Sequence, residues 1–404
     1  MTTQRIFVLF LAALFFSCNK EEVPEALFYQ QENAKVYQEQ FTLTSDSELN
    51  VPLDSTVAVD FITIQFFESG GVSYLAFFDP TVPRLHFYDY ATLEKIKHID
   101  FALEGPDGVG TNTSSMGCFV YAPDTIIIHN YWNRRLLFFN DRAEKFSSVD
   151  LPAPDAARFS TMMELTPAFR AANFLFLPNN YQGTQNRQLI SADDIPAFMM
   201  LDMNTGRIDY LGKRSKVYDI GYNVAGGNSE GYGTYHPAED KVVYSFKQDH
   251  MLFETYLSER EHTNKHFVGS RFFEDIPPLS ASVEEGVKME YSAREKVREY
   301  ILTTPKYTRI LFDPWNEVYY RFAYLPRTKE DYIERPYRLK PSIIIIDKNF
   351  GKVGEIEIDQ NGYYNNAKLK HSIVTKDGLL IPWRNNISDD FLTLKVFKLA
   401  KVNQ

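Results

Sequence analysis

"SIIIIDKNFGKVGEIEID", residues 342–359, sets an apolar strand against a second strand across a turn opened by an aspartate. Three other stretches repeat this plan: "RLHFYDYATLEKIKHIDF" (84–101), "RRLLFFNDRAEKFSSVDL" (134–151) and "AFMMLDMNTGRIDYLG" (197–212). Each runs apolar strand, Asp or Asn, a few turn residues, then a strand that starts near Lys or Arg. Asp and Asn suit that place because their side chains accept hydrogen bonds from backbone N–H groups inside the turn, and Gly supplies a positive φ.

Further strands precede these hairpins. "CFVYAPDTIIIHNYW" (118–132) leads into the second and "YTRILFDPWNEVYYRFAYL" (307–325) into the fourth, while "HSIVTKDGLLIPW" (371–383) leads into a last strand, "DFLTLKVFKLA" (390–400). Four strands per unit, recurring every roughly 40–60 residues, is the signature of a β-propeller. Six blades are expected, at about 57–101, 117–151, 159–212, 233–268, 306–358 and 371–400. The last has three strands of its own, and "SELNVPL" (47–53) supplies the fourth, so the two ends of the chain close the ring. Closure removes the exposed edges of an open sheet. A two-sheet sandwich is the competing arrangement, and the even spacing of four-strand units along the chain argues against it. The expected fold class is therefore all-β, a six-bladed β-propeller with one inserted helix. That helix is "SVEEGVKMEYSAREKVREYIL" (282–302), where Val283, Val287, Tyr291, Val297 and Ile301 make an apolar stripe among good helix formers.

The N-terminus reads as an address. After Arg5 comes a short apolar run, Ile6 to Phe16, and then Ser17-Cys18. A basic start, a run too short to span a bilayer and a small residue before the cut describe a secretory signal. Cys18 directly after the small residue is the lipoprotein form, with Phe15 standing where such signals usually carry Leu or Val; an ordinary signal peptide with a chance cysteine is the alternative. Residues 1–17 are read as the signal peptide, 18–40 as a lipidated tether and 41–404 as one propeller domain. The expected location is the outer membrane, with Cys18 as the membrane anchor. "CNKEE" (18–22) resembles the surface-export signal of Bacteroidetes lipoproteins, and a solvated charged tether explains it as well.

The 404 residues are 44% hydrophobic with a net charge of -10, and no second long apolar run follows the first. An acidic chain without a basic patch offers no counterion release, which argues against nucleic acid as a partner. Of two cysteines, only Cys118 remains once Cys18 is lipidated, so no disulfide framework is possible. Cys118, in an apolar strand, is expected to be a buried small hydrophobe.

Labelling each blade's strands a to d from the axis outward puts the b–c loops and the blade connectors on one face. The a–b turns on the other face are short: "FESGG", "APDT", "HPAED", "DPWNE", "TKDG". The connector face carries the long segments, including b–c loops 130–135, 179–196, 326–341 and 383–390 and connectors 104–115, 221–233 and 359–370. Fold stability needs only short connections, so long ones gathered on one face mark a binding surface. The candidate ligand-binding residues there are Trp132, Asn133 and Arg134, Trp383, Arg384 and Asn385 at matching places in blades two and six, Tyr181, Arg321, and Asp107 in the first connector. Trp and Tyr offer flat apolar faces, and Arg a planar fork for carboxylate or phosphate. Aromatic wedging between blades and ordinary ion pairs would explain the same residues without a ligand. Carbohydrate, peptide or an envelope protein all fit such a face, and a scaffold in an envelope complex would show an apolar patch there.

Catalytic signatures are missing: there is no G-x-S-x-G, no H-E-x-x-H and no paired Cys, and no cofactor or metal is expected. "HTNKH" (262–266) spaces two histidines inside a turn, and "DMNTGRID" and "DKNFGKVGE" are explained as hairpin turns without calcium. "EGPDGVGT" (104–111) lacks the Lys and helix of a phosphate loop and is read as a blade connector. A hydrolase using a pair of acids among Asp107, Asp389 and Asp390 is the alternative function, decided by the separation of the carboxyls.

Taken together, the lipoprotein signal, six blades, hairpins of the "FYDYATLEKI" kind and the connector "EGPDGVG" make the chain similar to an uncharacterised (domain of unknown function) family of Bacteroidetes lipoproteins. That family is related in pattern to six-bladed TolB-like and NHL-like propellers. The resemblance spans roughly residues 30–400 and implies the fold, but no activity and no catalytic residues.

Overall fold

The computed structural model describes residues 37–57, 63–113, 116–152, 162, 167–179, 191–219, 231–280, 282–334, 339–358, 368–383, 388 and 390–402. Within them, β1 (Phe41–Pro52) comes first and is held back for the end of the ring. Blade one is β2 (Thr63–Ser69), β3 (Val72–Asp79), β4 (Arg84–Asp89) and β5 (Lys95–Asp100). Blade two is β6 (Met116–Ala122), β7 (Thr125–Asn130), β8 (Arg135–Phe139) and β9 (Lys145–Asp150), and blade three is β10 (Phe169–Ala171), β11 (Phe174–Pro178), β12 (Pro196–Asp202) and β13 (Ile208–Lys213). Blade four is β14 (Gly231–His236), β15 (Lys241–Phe246), β16 (Met251–Tyr256) and β17 (Asn264–Phe267). Blade five is β18 (Lys306–Asp313), β19 (Val318–Tyr324), β20 (Pro341–Asp347) and β21 (Lys352–Glu357). Blade six has β22 (Ile373–Thr375), β23 (Gly378–Trp383) and β24 (Phe391–Lys401), and β1 pairs antiparallel with β24 as its outermost strand.

Every blade is a four-stranded antiparallel sheet, a meander in the first five, and the first strands stand next to one another around the axis. The second strands explain the apolar runs of the sequence. All residues of β15, β19 and β23 are buried, because packed blades cover both faces of each, so the alternation of a one-sided sheet disappears. The clefts between blades are filled with apolar side chains. Ile343, Ile345, Leu379 and Ile381 fill the cleft between blades five and six, and Ile127, Leu136, Leu175 and Leu201 the one between two and three. Cys118 is one such filler, and burial pushes its thiol well above the usual range.

The four hairpins that announced the fold share one local chemistry. Oδ1 of Asp89, Asn140, Asp202 and Asp347 each accepts two backbone N–H groups of its own turn, such as those of Asn349 and Gly351, both at 2.8 Å from Asp347. Glycine is less needed than expected. The left-handed position falls on Gly206 in blade three but on Leu93, Ala143 and Phe350 elsewhere, with φ of 59°, 59° and 66°. The two side-chain bonds and the flanking ladder hold a conformation that disfavours L-residues by about 1–2 kcal/mol.

The insertion before blade five is two helices rather than the single one expected: α1 (Val283–Ser292) and α2 (Arg294–Thr303). Ser282 caps α1 by accepting the N–H of Glu285 at 3.2 Å. Near its end the Ser292 hydroxyl donates back to the Lys288 carbonyl at 2.8 Å, a bond that bends helices, and Ala293 leaves helical geometry at φ −139° and ψ 47°. Val297 of α2 is buried against Leu279; the side chains of Val283, Val287 and Tyr291 lie outside the described residues. A further short helix, α3 (Lys329–Glu334), lies in the b–c segment of blade five.

Candidate functional site

The connector and the b–c turn of blade two are knit together. Within the connector the N–H groups of Val109 and Gly110 donate to the carbonyls of Ala102 and Leu103. The buried Asn130 side chain donates to the Val109 carbonyl at 2.8 Å and accepts the N–H of Trp132 at 3.1 Å. Gly110 has a φ of 99°, and a Cβ there would stand 2.6 Å from Asn130 Nδ2 and 3.1 Å from Asn133 Nδ2. The glycines of "EGPDGVGT" therefore let the chain pass close to this turn, as a connector must.

On that turn Trp132 is 61% exposed, Asn133 and Arg134 are exposed beside it, and Arg134 sits at a φ of 49°. The Arg134 carbonyl accepts the N–H of Leu151 at 2.8 Å, which ties the strained residue to the outer strand. Asp107 is not gathered with them. Its Oδ1 accepts the N–H of Lys145, the first residue of β9, at the far end of the outer hairpin from Trp132.

Two of the expected site residues stand elsewhere. Arg321, on β19, is fully buried and does not line the mouth. Its guanidinium donates to Ser245 Oγ at 3.0 Å and to the carbonyls of His250 and Val268, both at 2.7 Å, as well as that of Asp249, and it stacks on Tyr307. It is a clasp between blades four and five. Trp383, expected at the mouth, is buried between blades five and six with Lys395 Nζ 4.2 Å from its ring centroid. The physical reason is register. Trp383 is the last residue of its strand, whereas Trp132 lies two residues beyond the end of β7, so one ring packs into a cleft and the other projects from a turn. Tyr181, Arg384, Asn385, Asp389 and the lipidation residue Cys18 lie outside the described residues.

Beside the Arg321 clasp is a buried carboxyl. Asp249 is fully buried; burial raises it to about 6, against the opposing effects of the Ser215 hydroxyl, the Met251 N–H and the Arg321 charge. The native state thus holds a proton on Asp249 at pH values where the unfolded chain has lost it. The penalty of the buried charge is present above about pH 6 and fades as pH falls toward the unfolded value. Lowering the pH from 7 to 4.5 is expected to stabilise the wild type by about 2 kcal/mol relative to Asp249→Asn. Urea unfolding of both proteins at the two pH values measures this; a gap independent of pH contradicts it.

A channel of about 430 Å³ runs along the axis. All of β2 from Thr63 to Ser69 lines it, with parts of the inner strands β6, β10, β18 and β22. Its wall is pinned by Gln65, which accepts the Val120 N–H at 2.9 Å and donates to the Val120 carbonyl at 2.6 Å. Two arginines face it, Arg170 and Arg309. Sequence reasoning passed over Arg309, although a lone charge in the apolar inner strand "YTRILF" (307–312) was a usable signal.

Comparison with solved structures shows the same fold. A structure of a DUF4221 family member from Bacteroides vulgatus ATCC 8482 is 21% identical with a TM-score of 0.73, over 91% of this chain and 100% of that one. A protein from Bacteroides fragilis NCTC 9343 gives a TM-score of 0.55 at 12% identity, over 91% and 99% of the two chains. No curated protein matches the sequence. The profile of the domain of unknown function DUF4221 matches residues 40–357, from the N-terminal closing strand to the last strand of blade five, and the chain belongs to that family.

Proposed function

We propose that this chain is a lipid-anchored protein of the bacterial outer membrane whose propeller binds a macromolecular partner through its connector face. The observation that carries the reading is the distribution of exposed apolar side chains. Of eight large ones among the described residues, Val82, Leu103, Trp132 and Ile333 belong to b–c segments or blade connectors and Phe391 opens β24 at the same end of its blade, on blades five, six, one and two. Trp315 alone belongs to an a–b turn, and Ile96 and Phe146 to outer strands. Apolar side chains collected on one face are what a partner surface needs. The hydrolase alternative has less behind it: Asp107 bonds the Lys145 backbone and Asp390 the Ser388 hydroxyl, two separate places. The anchor rests on the signal and Cys18 of the sequence.

Photocrosslinking in the native cell tests the face. Benzoylphenylalanine placed at Trp132 or Phe391 is expected to give discrete adducts of higher mass, and none when placed at Trp315. Adducts from Trp315 alone, or from all three positions alike, would sink the reading. In the same cells a palmitate analogue is expected to label the wild type and not Cys18→Ser; label retained by the variant refutes the anchor.

A further inference from the structure

The arginines of the two inner strands of blade five, Arg321 fully buried and Arg309 partly buried, make an internal comparison. Arg321 gives its donors to a hydroxyl and several carbonyls. Arg309, on the paired strand β18, makes no hydrogen bond or ion pair with any described residue, and its resolved electrostatic partner is Tyr232. Nor is it in the regular ladder. The β18–β19 register shifts between Tyr307 and Ile310, so Thr308 and Arg309 form a bulge. Thr308 is buried and Arg309 lines the axial channel. Bulges re-aim side chains, and this one turns a cation toward the axis.

An uncompensated guanidinium is costly inside a protein unless an anion meets it. The other channel arginine, Arg170, is already engaged: it donates to the carbonyls of Ala172 and Tyr121 at 3.0 and 3.2 Å and stacks on the Tyr121 ring. Arg309 therefore offers one free planar fork in a cavity of ligand size, among the apolar walls of Phe66, Phe67, Phe119, Leu311 and Phe312.

We propose that the axial channel is a binding site for a small organic monocarboxylate with an apolar body, its carboxylate on Arg309 and its body against the aromatic wall. The channel lining carries two guanidiniums, Arg170 and Arg309, and one carboxylate, Glu68, a net single positive charge that a monoanion balances and a phosphate dianion exceeds. This site is separate from the connector-face partner surface and stands or falls without it.

Benzoate, inorganic phosphate and benzyl alcohol are the probes, titrated calorimetrically into the full mature chain at matched ionic strength. Benzoate is expected to bind, with phosphate and benzyl alcohol at least tenfold weaker. Arg309→Gln should weaken benzoate at least tenfold while melting at or above the wild-type temperature, since it removes a partly buried charge that no described side chain balances. Arg309→Lys, which keeps the charge without the fork, should fall between the two. In a crystal soaked with 4-iodobenzoate the iodine peak is expected inside the channel. Benzoate that does not bind, binds equally to Arg309→Gln, or leaves iodine elsewhere overturns the site; tighter phosphate binding or equal benzyl alcohol binding overturns the ligand class.

Discussion

Arg321→Met is expected to destabilise the protein by about 3–5 kcal/mol, a large effect for a single side chain. The guanidinium spans two blades, collecting carbonyls from Asp249 and His250 in the b–c turn of blade four and from Val268 at the end of that blade. Methionine fills much of the volume and supplies no donor. The Val268 and Asp249 carbonyls would then be left buried with one partner fewer, at about 1–3 kcal/mol for each acceptor left unsatisfied. Losing the charge also leaves Asp249 without its nearby cation, which favours its protonated form still more. Lysine should not rescue the variant, because a compact ammonium cannot reach acceptors disposed around a planar fork. Urea denaturation followed by circular dichroism reads the loss. A variant as stable as the wild type would mean that the blades hold together without the clasp, and Arg321 would return as a candidate for ligand contact.

The closing strand carries the second large effect. A chain starting after Pro52 is expected to lose its cooperative unfolding transition, while one starting at Tyr37 keeps it. β1 covers the whole edge of β24, from Phe41 opposite Lys401 to Pro52 opposite Phe391, with one register shift between Thr44 and Ser47. Leu43 and Val51 are buried in two different clusters, on the blade-five and the blade-one sides of blade six. Without β1 both clusters open and a long sheet edge is bared, which invites aggregation. A gentler probe is Gly354→Ala. A Cβ at Gly354 would stand 2.1 Å from the Phe41 carbonyl oxygen, so the start of β1 must lift from blade five. Hydrogen exchange should then quicken at Gln40, whose N–H donates to the Val353 carbonyl at 2.8 Å, and leave the Val51 end unchanged. Sharp melting of the shortened chain would refute the closure.

The blades were legible because their signal is local. An Asp or Asn that accepts two N–H groups of its own turn needs no distant partner, so Asp89, Asn140, Asp202 and Asp347 punctuate the chain much as they punctuate the structure. The buried second strands were legible too, since "TIIIHN" and "GLLIPW" are apolar on both faces. The helical insertion was half-read: its position was right, and the break at Ala293 depends on a hydroxyl rotamer that composition does not reveal.

The candidate site was read less well, and four residues show why. Trp132 and Trp383 look alike in "WNR" and "WRN", yet a two-residue difference from the strand end exposes one and buries the other. Arg321 and Arg309 both sit in apolar strands of one blade, and only the packing of blade four and a bulge in β18 make the first a clasp and the second a channel cation. The amino-acid sequence by itself determined the number of blades and their turns, because those follow from bonds between near neighbours and from apolar periodicity, and the closing strand because a three-strand last unit leaves an edge only the N-terminal strand can cover. Only the tertiary structure decided which charged and aromatic side chains meet solvent, a cleft or the axis. Side-chain direction in a strand reverses with every residue, and a single bulge or register step, set by contacts hundreds of residues apart, changes the answer.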